Sequence, residues 1–308
     1  MSDSRYEWTL GPAGPPAEAV PAATVVPLRA GPDGIEVLLV RRQRGGAFSG
    51  LWVFPGGRVE ASDAGEPVAL PTDRVGERGT EVAVARRTAA REAAEEAGLV
   101  VEASTMAVHS WWLPPPSAPR RFSTWFFLAA LDAGSEVALD GEEVREHRWM
   151  APTAALAARD AGEIGLAPPT WVTLWQLRGF ADPAAALAEA TGRPPREFVT
   201  QLATSADGRQ AVVWEGDAGY PDADLECPGP RRRLWVRPDG AWEPELPPDA
   251  GVPPDAGTPA DAGTPPDAGT PADAGTPADA GTPADAGTPA DAGVPPDAGV
   301  PADAGTPR

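Results

Sequence analysis

The chain of 308 residues contains one cysteine, Cys227, and no lysine. A single cysteine excludes an intrachain disulfide. All positive side-chain charge falls to arginine, and with abundant Ala, Pro and Gly this points to a GC-rich genome rather than to chemistry. No run of 18 apolar residues is present, so no membrane-spanning helix is expected. The opening MSDSRYEWTL lacks a charged stretch followed by an apolar one, so no secretory signal is expected either. A basic balance is missing too. The formal net charge is −20, of which a repetitive tail with ten Asp and one Arg supplies −9 and the rest of the chain −11. Such a chain is a poor partner for nucleic acid or an anionic membrane through overall charge, although a local basic site remains open. The expectation is a soluble, cytoplasmic protein. Its oligomeric state is not legible in the sequence.

What is present falls into four parts. Residues 1–20 are Pro/Gly/Ala-rich and read as a flexible extension. Residues 21–192 carry the periodic patterns of a layered domain. ATVVPLRA and IEVLLVRRQR read as strands joined by the turn GPDG. Residues 61–79 are polar, with Pro, Gly and Asp, and read as a loop insert. A helix is expected from Glu81, capped by Thr80 and ended by Gly98. On its wheel Ala83, Ala90, Ala94 and Ala97 cluster on one side, where small residues allow close packing on a sheet. Strand-like VEASTMAVHSWWL, RRFSTWFFLAAL and EHRWMA follow, then helix-like TAALAARDAG, PTWVTLWQLRGF and DPAAALAEATG. This mixture predicts an α/β or α+β layered fold. Residues 193–248 contain the short strand patterns QAVVWEG and RRRLWVRPDGAW, and read as a small β appendage. Residues 249–308 are ten hexapeptides of the type DAGTPA. Glycine at every sixth rather than every third position excludes collagen, and the lack of apolar area predicts a disordered acidic tail.

The stretch AAREAAEEAGLV, residues 89–100, carries the chemistry. Glu92, Glu95 and Glu96 stand at i, i+3 and i+4, so a helix places them on one face, where like charges cost roughly 0.2–0.5 kcal/mol per pair. For an isolated motif a solvated face is the ordinary explanation. FPGG at Phe54–Gly57 and the string REAAEEAGL, Arg91–Leu99, change that. Together they resemble the Nudix box, G-x5-E-x7-R-E-U-x-E-E-x-G-U, with U usually aliphatic. Gly57 takes the place of the first Gly, and Asp63 stands six positions on, where Glu is usual. Gly57 and Arg91 are 34 positions apart against 14 in the box, so about 20 residues are inserted. Asp63, Glu60 and Glu81 are therefore all candidates for the first acid. Ala93 replaces the usual aliphatic residue.

The resemblance implies an α/β/α sandwich with a mixed β-sheet and a metal-dependent hydrolase of diphosphate bonds in nucleoside diphosphate derivatives. Clustered carboxylates suit Mg²⁺ or Mn²⁺, hard cations that prefer oxygen ligands. Such an ion bridges phosphate oxygens and lowers the pKa of a bound water, which attacks phosphorus. By matched position, Glu92, Glu95, Glu96 and the Gly56 carbonyl are implied as metal ligands. Glu95 or Glu96 would help to activate water, and Arg91 would brace a glutamate. Gly56 and Gly57 would let substrate approach the backbone. The general base varies in the family; Glu142 and Glu143 are candidates, against the alternative of a polar turn. LWVFPGGRVEASD, the insert, PRRFSTWFFLAAL and EHRWMAP are similar to the coenzyme A diphosphatase-type subgroup, over roughly residues 22–190. A second signature of that subgroup is matched only in Leu38, Leu39, Arg42 and Gly50. CoA or acyl-CoA is thus the first substrate expectation. The alternatives are an ADP-ribose, dinucleotide or NTP pyrophosphatase and a non-catalytic Nudix-fold binding or regulatory module.

Other residues invite two explanations each. Arg120 and Arg121 would bind phosphate charge or simply open a strand in solvent, with Arg121 the preferred substrate contact, alongside Arg42. Trp111, Trp112 and Trp125 would stack on a base or fill the core. His109 and His147 stand alone, and structural roles are expected. Cys227, in a Pro/Gly loop with no His nearby, is not expected to be catalytic.

Overall fold

The computed structural model describes residues 17–43, 48, 50–65, 78–118, 120–139, 141, 143–220, 222–237 and 242–247. The repeat tail, most of the N-terminal extension, residues 66–77 of the insert and Glu142 lie outside the described residues.

Strands β1 (Val20–Gly31) and β2 (Gly34–Arg42) form the expected hairpin, with Gly31 opposite Gly34. β3 (Trp52–Val53) and β4 (Gly56–Arg58) flank the Phe54-Pro55 pair, β3 pairing with β2 and β4 with the N-terminal half of β1. β5 (Ala107–Leu113), β6 (Phe122–Ala130), β7 (Val144–Met150) and β8 (Arg196–Val199) complete an eight-stranded sheet. Its main path runs β3-β2-β1-β6-β5-β8. The β1–β6 and β5–β8 pairs are parallel and the others antiparallel, so the sheet is mixed, as expected.

The strand period of two sorts side chains onto two faces. Leu38, Val40, Trp125 and Phe127 pack with helix α1 (Gly79–Ala97). Val37, Leu39, Phe126 and Leu128 pack on the opposite side with α2 (Pro152–Asp160), α3 (Pro168–Leu177) and α4 (Pro183–Thr191). Both faces are covered, which explains the near-continuous apolar character of these strands. The arrangement is the expected α/β/α sandwich.

Two expectations for α1 need correction. Its N-cap is Arg78, without a side-chain cap, so Thr80 lies inside the helix rather than capping it. Its buried stripe is Val82, Ala85, Ala89, Ala93 and Ala97, at spacings of three and four, while Ala94 is exposed and Ala83 and Ala90 are only partly covered. Glu96 also lies on the buried side of the helix, beside Ala97. Gly98 ends the helix as expected, at φ 66°. A Cβ there would come within 2.8 Å of the Ala138 Cβ.

Beyond α4, β8 joins the main sheet through β5, and Trp112 stacks on Phe198 of that strand at 4.0 Å. A second, antiparallel sheet follows: β9 (Gln201–Thr204), β10 (Gln210–Val213), β11 (Arg233–Val236) and β12 (Trp242–Glu245), in the order β12-β11-β10-β9. Ala211 and Val213 face a small cluster with Ala203 and Leu225. Trp214 and Leu234 belong to the main core. Asp217 and Arg233 form a fully buried ion pair, with the Asp217 Oδ1 2.6 Å from Arg233 Nη2 and its Oδ2 2.8 Å from Nε. Asp217 also accepts the N–H groups of Gly219 and Arg232. Burial opposes the Asp217 charge, but Arg233 and these N–H groups outweigh it and hold the carboxyl below its ordinary value. Removing one partner of a buried pair strands the other charge. Asp217→Ala is accordingly expected to cost about 3–5 kcal/mol in urea unfolding, far more than an exposed substitution such as Asp207→Ala.

Candidate active site

Helix α1 meets the glycine loop through its glutamate side chains. Glu96, 2% exposed, reaches back to β4 and accepts the Gly56 N–H on Oε2 at 3.0 Å. Its other oxygen accepts from Arg42 Nη2 at 2.7 Å. The same Arg42 nitrogen donates to the Gly56 carbonyl, and Arg42 Nη1 donates to Glu143 Oε2 at 3.1 Å. Glycine is required here by space. A Cβ on Gly56 would fall 2.5 Å from the Ala23 carbonyl, and one on Gly57 would fall 2.2 Å from Glu92 Oε1.

A second arginine organises the other carboxylates. Arg91 donates from Nε and Nη2 to the two oxygens of Asp63, at 3.0 and 3.1 Å. Its Nη1 donates to Glu92 Oε1 at 2.9 Å and to Glu95 Oε2 at 2.8 Å, and its Nη2 reaches the Arg58 carbonyl at 3.0 Å. Asp63 further accepts from Thr88 Oγ1 and from the Glu60 N–H. Of the three candidates for the first acid, Asp63 is therefore the one joined to Arg91. Glu81 accepts instead from Trp125 Nε1, and Glu60 caps the 3-10 turn at Ala61–Ala64.

Burial sets the electrostatics. It pushes the Glu96 carboxyl up to about 7, against the opposing pull of Arg42 and the Gly56 N–H. It also raises Glu92, where Arg91 opposes it. Burial acts the same way on Asp63, but the hydrogen bonds from Arg91, the Glu60 N–H and Thr88 win, and its carboxyl lies below the ordinary value.

The glutamates do not converge as the sequence suggested. Among the described residues no three acidic, His or Cys side chains gather round one point. Arginines stand between them: Arg42 between Glu96 and the Gly56 carbonyl, and Arg91 between Glu92 and Glu95. The uncompensated like charges expected on the helix are thus compensated within the chain. The donors still suit a hard cation. All are oxygens, and one cationic nitrogen already sits on both the Glu96 carboxylate and the Gly56 carbonyl. Glu95, with its side chain 59% exposed, is able to turn toward the same place.

The remaining candidates divide. Arg42 and Glu143 join the site, where Arg42 contacts protein oxygens and also lines the cavity beside the glycine loop. Arg121 does not join it. Its guanidinium holds the chain by donating to the carbonyls of Pro114 and Ala17, while the neighbouring Arg120 lines the cavity beside the glycine loop. Arg58, missed in the sequence, lines the same cavity; its signal was its place directly after the glycine pair. Trp111 and Trp125 are buried and tilted against each other, with their Nε1 groups bonded to Ser123 and Glu81, so they are core residues. His109 is buried against Gln176, and burial beside Arg193 and Arg196 keeps it neutral. His147 is exposed on β7. Cys227 lies beside the Pro228 carbonyl, away from any of these groups.

Residues 19–170 match the model of the NUDIX domain. The chain carries a Nudix domain. Its box is the pair of elements just described, glycine loop and α1, brought together across the insert. The chain is 36% identical over 81 residues to the acyl-coenzyme A diphosphatase NUDT19 of Xenopus laevis, a match spanning 24% of this chain and 21% of that protein. It therefore spans about a fifth of the length of this curated relative. Among solved structures it is similar to a NUDIX hydrolase from Alicyclobacillus acidocaldarius, at 25% identity and a TM-score of 0.48, over 58% of this chain and 98% of that one. It is also similar to a C. elegans Ap4A hydrolase, at 21% identity and a TM-score of 0.34, over 51% and 93%. In the described residues no helix is long and apolar enough to cross a membrane.

The Asp63–Arg91 link predicts a pH-dependent stability. Because the folded-state pKa of Asp63 is lowered, its contribution is present above the ordinary value of 3.8 and is lost as pH falls through the folded value. Asp63→Asn is expected to lose roughly 1–3 kcal/mol at pH 7. In thermal unfolding, the gap to the parent should narrow below pH 3.8.

Proposed function

We propose that this protein is a Mg²⁺- or Mn²⁺-dependent diphosphatase that hydrolyses a nucleoside diphosphate linked to a second moiety, with CoA or acyl-CoA as the first substrate expectation. The observation that carries this reading is the hydrogen bond between the buried Glu96 carboxylate and the Gly56 N–H, which joins the two halves of the box despite the insert. The partial likeness to an acyl-coenzyme A diphosphatase supports the substrate class.

Glu92, Glu95, Glu96 and the Gly56 carbonyl would hold the cation. Bound there, a hard divalent ion neutralises diphosphate charge and provides an acidified water. The chain's own residues account for the rest. Gly56 and Gly57 leave the backbone open to phosphate oxygens. Arg91, fixed by Asp63, keeps Glu92 and Glu95 side by side. Arg42 would leave Glu96 when the cation enters and remain tethered to Glu143, where its charge faces the phosphates. Glu143, whose side chain is 65% exposed, is the candidate acceptor for the proton of the attacking water. The water oxygen bonds to phosphorus, the bridging P–O bond breaks, and two phosphate esters result.

The test is a panel of CoA, acyl-CoA, ADP-ribose, NADH and diadenosine polyphosphates, with Mg²⁺ or Mn²⁺, read by phosphate-ester products. Metal-dependent turnover of at least one substrate is expected, falling by about 10–100-fold or more in Glu95→Gln. No turnover on any member leaves only a binding module; turnover unchanged in Glu95→Gln removes these glutamates from the site. A structural companion is Gly57→Ala. Its new Cβ must displace Glu92, so Mn²⁺ affinity measured by calorimetry should fall by about 10-fold or more while the circular dichroism spectrum is retained.

A further inference from the structure

A cavity of about 250 Å³ shares Arg42, Gly56 and Gly57 with the site, but its other walls come from elsewhere. Trp112 of β5 and Phe126 of β6 contribute aromatic surface. Val212 and Leu234 close it from the second sheet, where they are cross-strand partners. Both lie outside residues 19–170, the stretch that matches the family model. The lining is mainly apolar, an unusual neighbour for a glycine loop suited to phosphate.

Two further observations point to a ligand. Arg58 and Arg120 line the cavity, are exposed, and have no carboxylate partner among the described residues. Trp112 is 5% exposed, yet its Nε1 donor meets no acceptor. The neighbouring Trp111 and Trp125, by contrast, both have acceptors. A buried N–H left without an acceptor is unfavourable, and a ligand oxygen would satisfy it. One face of Trp112 is already stacked on Phe198, and Trp214 stands close to its ring, which leaves it poorly placed to clamp a flat base.

We propose that this cavity takes the moiety attached to the phosphates, that this moiety is an apolar chain bearing a carbonyl-type acceptor, and that Val212 and Leu234 determine which chain lengths fit. The assignment rests on the diphosphatase reading for the phosphate-bearing end of the ligand. Arg58 and Arg120 would meet the phosphate charge, Trp112 Nε1 the acceptor, and the Val212–Leu234 pair the methylenes.

The experiment reads binding without turnover. Ethyl, butyl and hexyl phosphate are titrated into the full chain by calorimetry, together with a hexyl-length phosphate carrying one internal amide. Affinity is expected to rise about three- to four-fold per added methylene, and the amide-bearing chain to bind more tightly than hexyl phosphate in the parent but not in Trp112→Phe. Val212→Phe should abolish the gain from butyl to hexyl while leaving ethyl phosphate unchanged. Val212→Thr, which keeps the volume, should weaken hexyl phosphate selectively and serves if the larger residue prevents folding. Arg120→Gln should weaken all lengths alike. Affinity independent of length, no binding of any probe, or a length dependence that survives both Val212 variants would overturn the proposal. A failed turnover panel with a rising length series refutes the diphosphatase and not the chamber; a flat series with an active panel does the reverse.

Discussion

A buried carboxylate against a glycine loop is the constraint on which the rest of the site depends. Glu96 is 2% exposed and still accepts two hydrogen bonds, one from the Gly56 N–H and one from Arg42. Burying such a group without partners would be costly. The Gly56 N–H ties it to β4, which pairs with the central strand β1, so the helix is held in register with the sheet. Gly56 and Gly57 cannot carry side chains because the helix carboxylates and the β1 backbone occupy that space. The glycine pair and the helix are therefore one mechanical unit.

The sandwich gives this unit a rigid base. α1 lays a stripe of alanines on one face of the mixed sheet, while three other helices cover the opposite face. Small residues bring α1 close enough for its glutamates to reach β4. Charge is then distributed by arginines. Arg91 gathers Asp63, Glu92 and Glu95; Arg42 gathers Glu96, Glu143 and the Gly56 carbonyl. These guanidinium groups offset the like-charge repulsion within the chain.

Much of this was legible in the sequence because it is local. Alternation predicted the hairpin and the long strands, Gly98 ended α1, and spacing at three and four placed the glutamates on one helix. The family resemblance supplied the sandwich and paired FPGG with the helix. What escaped was long-range. The inserted residues hid which acid meets Arg91, a choice made by tertiary contact with Thr88 and Glu60. The burial of Glu96 escaped too, because nothing in the sequence says that the Gly56 N–H bonds a carboxylate. Arg121 was preferred to Arg120, but both precede β6, and the carbonyls of Pro114 and Ala17 that hold Arg121 come from distant parts of the chain. The walls of the cavity could not be foreseen, since Val212 and Leu234 lie some hundred residues beyond the box and reach it through a separate sheet.

Under the proposed function, Arg42 occupies the place that a divalent cation would take between Glu96 and the Gly56 carbonyl. Anomalous diffraction from crystals soaked in Mn²⁺ tests it most directly. The account predicts a manganese peak bonded to the Gly56 carbonyl oxygen and to Glu96, with the Arg42 guanidinium withdrawn from both oxygens toward Glu143. A fully occupied manganese site elsewhere, with Arg42 still bridging Glu96 and Gly56, would contradict it.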